Sequence, residues 1–254
     1  MAIKRIELLG VPVDICRPEE LEIEILEMLV RPGTKQIVFL SVWKLLKARS
    51  NRSDFKECLK SANLVLPVSK SILNAAKFLK LDVPVRYNPF ATTIHILSVL
   101  DQHFRTLYLL GGREKTLAHA ERNLHQTFPN IQIVGRIQGY YPNELEDDIV
   151  QSLYKSSPSL VLVSDGIKEK DGWSYHRRNS FSSSIFLYYR DSFGIFSERI
   201  RRVSEATFNK GMEIWHEIVR YPLKIFLVFP FIRYILIVLW YKIFRKKKSE
   251  PSKA

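Results

Sequence analysis

The chain has 254 residues, 46% of them hydrophobic, with 39 Lys and Arg against 26 Asp and Glu for a net charge of +13. That length and apolar content suffice for one sizeable core ahead of the C-terminal tail. The two cysteines, Cys16 and Cys58, have neither metal nor redox spacing and read as isolated reduced thiols, which excludes a cysteine-built centre.

Strand and helix signals alternate along the chain. Residues 6–13 read as an apolar strand, 18–29 as a helix opened by Pro18 and acids, and 35–40 as a strand behind the turn Arg31-Pro32-Gly33. A helix in two parts around Asn51 ends near Ala62 and feeds a strand over 64–66. Helices follow over 69–79 and 92–102, then a strand over 105–110 that ends in Gly111-Gly112 and leads into a helix over 114–128. Strands over 131–134 and 160–163 bracket the acidic helix 143–154, and 184–188 is the last strand. This order predicts an α/β fold over residues 1–198, a Rossmann-like, mostly parallel sheet with helices on both faces. Residues 199–254 are expected to form a helical appendage, basic, amphipathic and apolar, that associates with a membrane.

The appendage carries +9 of the +13. Its residues 225–241 contain one proline, Pro230, and one charge, Arg233, and are flanked by Lys224 and Lys242. Seventeen residues is near the lower limit for a spanning helix, roughly 17–25. On a helix Lys224 and Lys242 share one face and Arg233 takes the opposite one, so no single flat helix keeps all three wet. A span would place Arg233 near mid-bilayer at a cost of roughly 2.5–3.5 kcal/mol. A break at Pro230 would instead give two short pieces dipping into one leaflet, and a buried core helix is the bland alternative. Monotopic attachment is the favoured reading, with Arg220, Lys224, Arg233, Lys242, Arg245, Lys246, Lys247 and Lys248 on anionic lipid or a lipid diphosphate. Such concentrated basicity is unlike a nucleic-acid footprint spread over the fold and leaves nucleic-acid binding a runner-up behind the membrane readings, with no nucleic-acid partner expected. Residues 1–10 contain no apolar stretch of signal-peptide length, so the domain is expected on the cytoplasmic face of the cytoplasmic membrane.

In open parallel sheets ligands bind at the carboxyl ends of the strands. Three loops there carry candidate nucleotide-sugar contacts. Gly111, Gly112 and Arg113 suit close backbone approach to phosphate at a helix start. Gly139 and Tyr140, with Tyr141, offer a bend and an aromatic platform. The stretch 164–173 is dense in charge behind a buried strand and supplies Asp165, Gly166, Lys170 and Trp173.

The order of these pieces resembles a known family. Leu9-Gly10-Val11-Pro12-Val13-Asp14, Ser61-Ala62-Asn63-Leu64-Val65-Leu66-Pro67, residues 109–112, Phe128-Pro129-Asn130-Ile131-Gln132-Ile133-Val134-Gly135 and Gly139-Tyr140-Tyr141 are similar to motifs of the WecG/TagA/CpsF glycosyltransferases, with spacing kept over residues 6–224. The resemblance implies transfer of N-acetylmannosamine or a related sugar from a UDP donor to a polyprenyl-diphosphate-linked sugar at the inner face of the membrane. It also implies that a basic C-terminal appendage completes the active site.

The departures concentrate where the resemblance would place chemistry. The general-base Asp of the family falls on Val68, and its sugar-positioning Asn falls on Ser41. Arg86 alone survives from an Arg-x-x-Gly-x-Asp motif, as a diphosphate contact. Gly166, Asp171 and Trp173 remain from Gly-Ser-Pro-Lys-Gln-Glu-x-Trp, with Asp for Glu. Glu217 stands where the appendage usually has Arg. The catalytic candidates are therefore Ser41, Arg86 and Asp171, with Asp165 or Asp191 as further replacements for the lost base. No Asp-x-Asp pair or metal-ligand spacing is present, so metal-independent transfer without a cofactor is expected. Two functions stay open: a divergent glycosyltransferase in cell-surface polysaccharide synthesis, or an inactive relative that binds a UDP-sugar or a glycosyltransferase partner at the membrane.

Overall fold

A computed structural model describes residues 3–50, 54–211 and 228–248. The chain opens with an antiparallel hairpin, β1 (Lys4–Leu8) and β2 (Val11–Ile15). The sequence reading made this one strand. Leu9 and Gly10 both take positive φ (55° and 77°), which is the geometry of a two-residue turn matched to strand twist. Leu9 is an unusual residue there, which hid the turn.

Beyond the hairpin the expected alternation holds. The elements are α1 (Pro18–Val30), β3 (Gly33–Leu40), α2 (Val42–Ala48), α3 (Phe55–Ser61), β4 (Leu64–Pro67), α4 (Lys70–Phe78), α5 (Pro89–Gln102), β5 (Thr106–Leu110), α6 (Glu114–Thr127), β6 (Gln132–Ile137), α7 (Glu146–Ser156), β7 (Leu160–Val163), α8 (Gly172–His176), β8 (Ser183–Tyr188), α9 (Ser192–Phe196), α10 (Glu205–Lys210) and α11 (Val228–Lys248). Six strands form one parallel sheet in the order β4-β3-β8-β7-β5-β6.

Period-two alternation splits the core between the two faces of this sheet. Ile37, Phe39, Leu107, Leu109, Leu160, Leu162, Ile185 and Leu187 pack against α1, α5, α6 and α9. On the other face Val38, Leu40 and Val65 meet α2, α3 and α4, while Tyr108, Val161, Val163 and Phe186 meet α7 and α8. Both faces being covered, the strands read as continuous apolar runs. Because all six strands run the same way, every loop that follows a strand emerges at one edge.

The hairpin is fastened to that sheet by a buried charge. Asp14 is 2% exposed and takes both oxygens to Arg5, at 2.6 and 2.8 Å, while Oδ2 also accepts the Val65 amide. The carboxylate thus pairs β2 with β4 without being left unsatisfied.

Both cysteines are buried and unbridged. Burial pushes the thiols up, Cys16 to about 11 and Cys58 to about 12, so neither is a nucleophile at neutral pH.

Candidate functional site

The loops after β5, β6 and β7 interlock into a floor built from backbone. Gly111 donates its amide to the Ile137 carbonyl at 2.8 Å and Gly112 donates to Asp165 at 2.7 Å. Gly139 donates to Gly112, and Tyr140 to Gly166. A Cβ on Gly111 would lie 2.7 Å from the Asp165 carbonyl oxygen, one on Gly139 would meet the same atom at 2.7 Å, and one on Gly166 would strike the Tyr140 ring. The glycines are needed because three chains cross within van der Waals distance. Their amides are consumed in doing so, so the expected use of the Gly111 and Gly112 N–H groups on a phosphate does not survive in this geometry.

Two side chains rise from this floor. Tyr140 is 61% exposed in a left-handed backbone conformation, and its hydroxyl donates to Asp165 Oδ2 at 2.8 Å. That bond, with burial a lesser cause, raises the phenol above its ordinary range. Ser164 lies 3.3 Å from Asp165 Oδ1, but its hydroxyl makes the shorter bond, 2.8 Å, to the Arg190 carbonyl. Arg113 is exposed where α6 begins.

Ser41, Val68 and Arg86 meet at the ends of β3 and β4. Ser41 Oγ accepts the Lys44 amide at 3.3 Å and so caps α2. The Val68 side chain packs partly buried on the core, and its carbonyl accepts Arg86 Nε at 2.8 Å. The Arg86 guanidinium then stacks 3.7 Å from the centre of the Phe208 ring and donates to the Phe208 carbonyl. Burial pulls its pKa below the ordinary guanidinium value. Arg86 therefore joins the carboxyl edge to α10 of the appendage.

The charged stretch after β7 divides. Lys170 is exposed, in a left-handed turn. Asp171, expected to face substrate, is 2% exposed and held by Lys44 Nζ at 2.7 Å. Trp173, also 2% exposed, stacks on Phe181 and donates to Glu146, so its ring belongs mostly to the core and only its edge borders the cleft beside Gly166. The reason is that α8 folds back over the sheet immediately after Lys170. A cleft of about 380 Å³ remains beside Gly166, lined by Tyr141, Asn143, Lys168 and Glu169 above the Trp173 edge. A larger one, about 630 Å³, lies at the opposite, amino edge, where Arg5 pairs with Asp14, Arg31 with Glu27 and Lys60 with Glu57. The carboxyl edge is the chemically meaningful end of a parallel sheet. Among the described residues no three His, Cys, Asp or Glu side chains could hold a metal ion.

Helix α11 runs unbroken from 228 to 248, with Pro230 in its first described turn. One stripe docks on the domain: Tyr234 donates to the Ser71 carbonyl at 2.9 Å, Val238 is buried, and Lys242 Nζ sits 3.6 Å from the centre of the Phe78 ring. The other stripe faces outward with Phe229, Ile232, Leu236, Leu239, Trp240 and Ile243 all exposed, and Arg233 on its flank. Among the described residues no helix is long and apolar enough to cross a membrane. Arg220 and Lys224 lie outside the described residues, while Arg245, Lys246, Lys247 and Lys248 form the last turn of α11.

Comparison with known proteins gives this arrangement a lineage. The pattern that defines the Glycosyl transferase WecG/TagA/CpsF family matches residues 6–249, from β1 through the end of α11. The chain belongs to that family. Two proteins similar to this chain are each named N-acetylglucosaminyldiphosphoundecaprenol N-acetyl-beta-D-mannosaminyltransferase. The one from Bacillus subtilis (strain 168) is 19% identical over 169 residues, 66% of this chain, and the one from Bacillus spizizenii (strain ATCC 23059 / NRRL B-14472 / W23) is 20% identical over 170 residues, 67% of this chain. The alignment spans 65% of the length of each relative.

Two participants escaped the sequence reading. Lys44, the partner of Asp171, stands three residues after Ser41 and had no role of its own, and Phe208 carried no signal at all. Neither could be found without the fold, because their partners are 127 and 122 positions away.

Proposed function

We propose that this chain is a membrane-associated glycosyltransferase that moves an N-acetylhexosamine, of the N-acetylmannosamine type, from UDP to a polyprenyl-diphosphate-linked sugar in cell-surface polysaccharide synthesis. The observation that carries this is the family match over residues 6–249, which includes both the glycine floor and α11. The acceptor hydroxyl attacks the anomeric carbon as the bond to UDP breaks, and UDP leaves as the anion. Positive charge for that anion comes from Arg113, the uncapped first turn of α6 and the basic appendage. Of the carboxylates that could take the acceptor proton, Asp171 is withdrawn by its ion pair, while Asp165 and Asp191 stand at the carboxyl edge. Transfer is read as metal-independent.

Attachment follows from α11. Its outward apolar stripe would lie in one leaflet at the cytoplasmic face, with the terminal Arg and Lys residues on anionic headgroups.

Val68 favours a second reading. A branched alkyl group stands where the family motif has its base, and losing a general base costs about 10²- to 10⁴-fold in rate. An inactive member would bind UDP-sugar, or a glycosyltransferase partner, without turnover.

Calorimetric titration of UDP and UDP-N-acetylhexosamines into the full chain, followed by transfer to a polyprenyl-diphosphate-N-acetylglucosamine acceptor with and without EDTA, separates the two. Binding with transfer unaffected by EDTA supports the enzyme. Binding without transfer supports the inactive reading, and absence of UDP binding overturns the nucleotide site in both.

A further inference from the structure

The floor leaves one anionic side chain in a position that a diphosphate would avoid. Asp165 follows β7 at the crossing of three loops, and its Oδ1 lies 3.8 Å from where a Cβ on Gly112 would sit. Phosphate placed against it would be repelled at short range, in a region where the protein lowers the local dielectric. The partner for this carboxylate must therefore be neutral and must donate hydrogen bonds.

Its bonding state fits a pair of hydroxyls. An ionised carboxylate has about four acceptor positions on two oxygens. Tyr140 occupies one on Oδ2. The single Ser164 proton goes to the Arg190 carbonyl at 2.8 Å in preference to Oδ1 at 3.3 Å. Both oxygens keep capacity, and the Tyr140 bond fixes the plane of the group before any ligand arrives.

We infer that Asp165 is the residue that reads the vicinal 2′,3′-diol of a ribonucleoside diphosphate, so that the site selects ribose over 2′-deoxyribose. This rests on the nucleotide-binding reading above, and it leaves Asp191, not Asp165, as the carboxylate for the acceptor proton. Ribose is chosen over the donor hexose because the exposed Tyr140 ring, joined to Asp165 by its hydroxyl, is the surface on which a base can stack, and ribose is the unit bonded directly to the base. The hexose lies beyond the diphosphate, on the far side from the base.

The test measures binding of UDP, 2′-deoxy-UDP and a UDP-N-acetylhexosamine to the full chain, Asp165→Asn and Tyr140→Phe. Wild type is expected to favour UDP over 2′-deoxy-UDP by about tenfold or more, the usual weight of a hydrogen bond to a charged group. In Asp165→Asn that ratio should fall to about twofold, with 2′-deoxy-UDP, which keeps its 3′-hydroxyl, weakened less than UDP; Tyr140→Phe, which frees the carboxylate to rotate, should fall between. Equal binding of the two nucleotides by wild type, or an undiminished ratio in Asp165→Asn, overturns the inference while leaving the nucleotide site standing. A loss of affinity in Asp165→Asn for the UDP-N-acetylhexosamine but not for UDP would transfer Asp165 to the hexose and also overturn it. Failure of wild type to bind UDP removes the nucleotide site and this assignment together.

Discussion

Lys44 Nζ lies 2.7 Å from the Asp171 carboxylate, and the two partners differ in their access to water: Asp171 is 2% exposed, the Lys44 side chain 22%. The backbone around Asp171 is equally committed, its carbonyl accepting Gln36 Nε2 at 2.6 Å from within β3. The pair pins α8 to the sheet and α2 to α8.

This inequality predicts an ordered pair of effects on stability. Lys44→Met strands a buried carboxylate and should cost about 3–5 kcal/mol, whereas Asp171→Asn leaves an ammonium that can reach solvent and should cost less. Urea denaturation of both variants checks the order, and equal losses would contradict it.

Glycine is required at the crossing of the loops for space as well as for φ. Gly111→Ala, at φ 114° and 2.7 Å from a backbone oxygen, should destabilise by roughly 2–4 kcal/mol. Gly33→Ala, at φ 89° with nothing within 4 Å, carries the conformational cost alone, about 1–2 kcal/mol. Thermal unfolding of the two variants side by side isolates the steric part.

Arg86 and Phe208 form the joint between the domain and α10. Phe208→Ala and Arg86→Ala should each weaken it by about 1–2 kcal/mol, and Arg86→Lys should not restore it, since an ammonium lacks the planar stack. Limited proteolysis should then cut around residues 198–211 sooner than in wild type, with the rest of the domain unchanged. An unaltered digestion pattern would show that the appendage is held elsewhere.

The ring nitrogens of His176 donate to carboxylates, Nε2 to Asp54 and Nδ1 to Glu169, and the bonds to Asp54 first and Glu169 second raise its pKa. A group whose pKa is higher folded than unfolded stabilises the fold most below its unfolded value, about 6.5, and loses that contribution as pH rises through the folded value. The ring is 41% exposed, so solvent screening keeps the effect below about 1 kcal/mol. His176→Gln should therefore cost more stability at pH 5.5 than at pH 9, and a difference that is flat or reversed across that interval would contradict the assignment.

How much could be seen in advance depended on whether a residue's meaning was local. The run Ile37-Val38-Phe39-Leu40 announced a strand buried on both faces, and it is one. Helix α5 begins at Pro89, three residues ahead of its expected start, although the signal was present: Asn88 Oδ1 accepts the Phe90 amide at 3.1 Å and proline suits the first turn. β6 runs on to Ile137 because Gly135 lies within the strand, over the Tyr108 ring, and does not end it.

The sequence by itself determined the α/β order, the parallel sheet and the concentration of charge beside an apolar tail, because periodicity, turn residues and composition act over a few neighbouring positions; the family was legible in the order and spacing of short motifs. Only the tertiary structure decided which of the candidate residues are open at the carboxyl edge and which are buried or paired. Asp165, Lys170 and Asp171 lie within seven positions of one another, yet the first stands on the floor, the second in solvent and the third under α8. Exposure, pairing and the spending of the Gly111 and Gly112 amides are set by partners far along the chain, brought close when both faces of the sheet are covered at once.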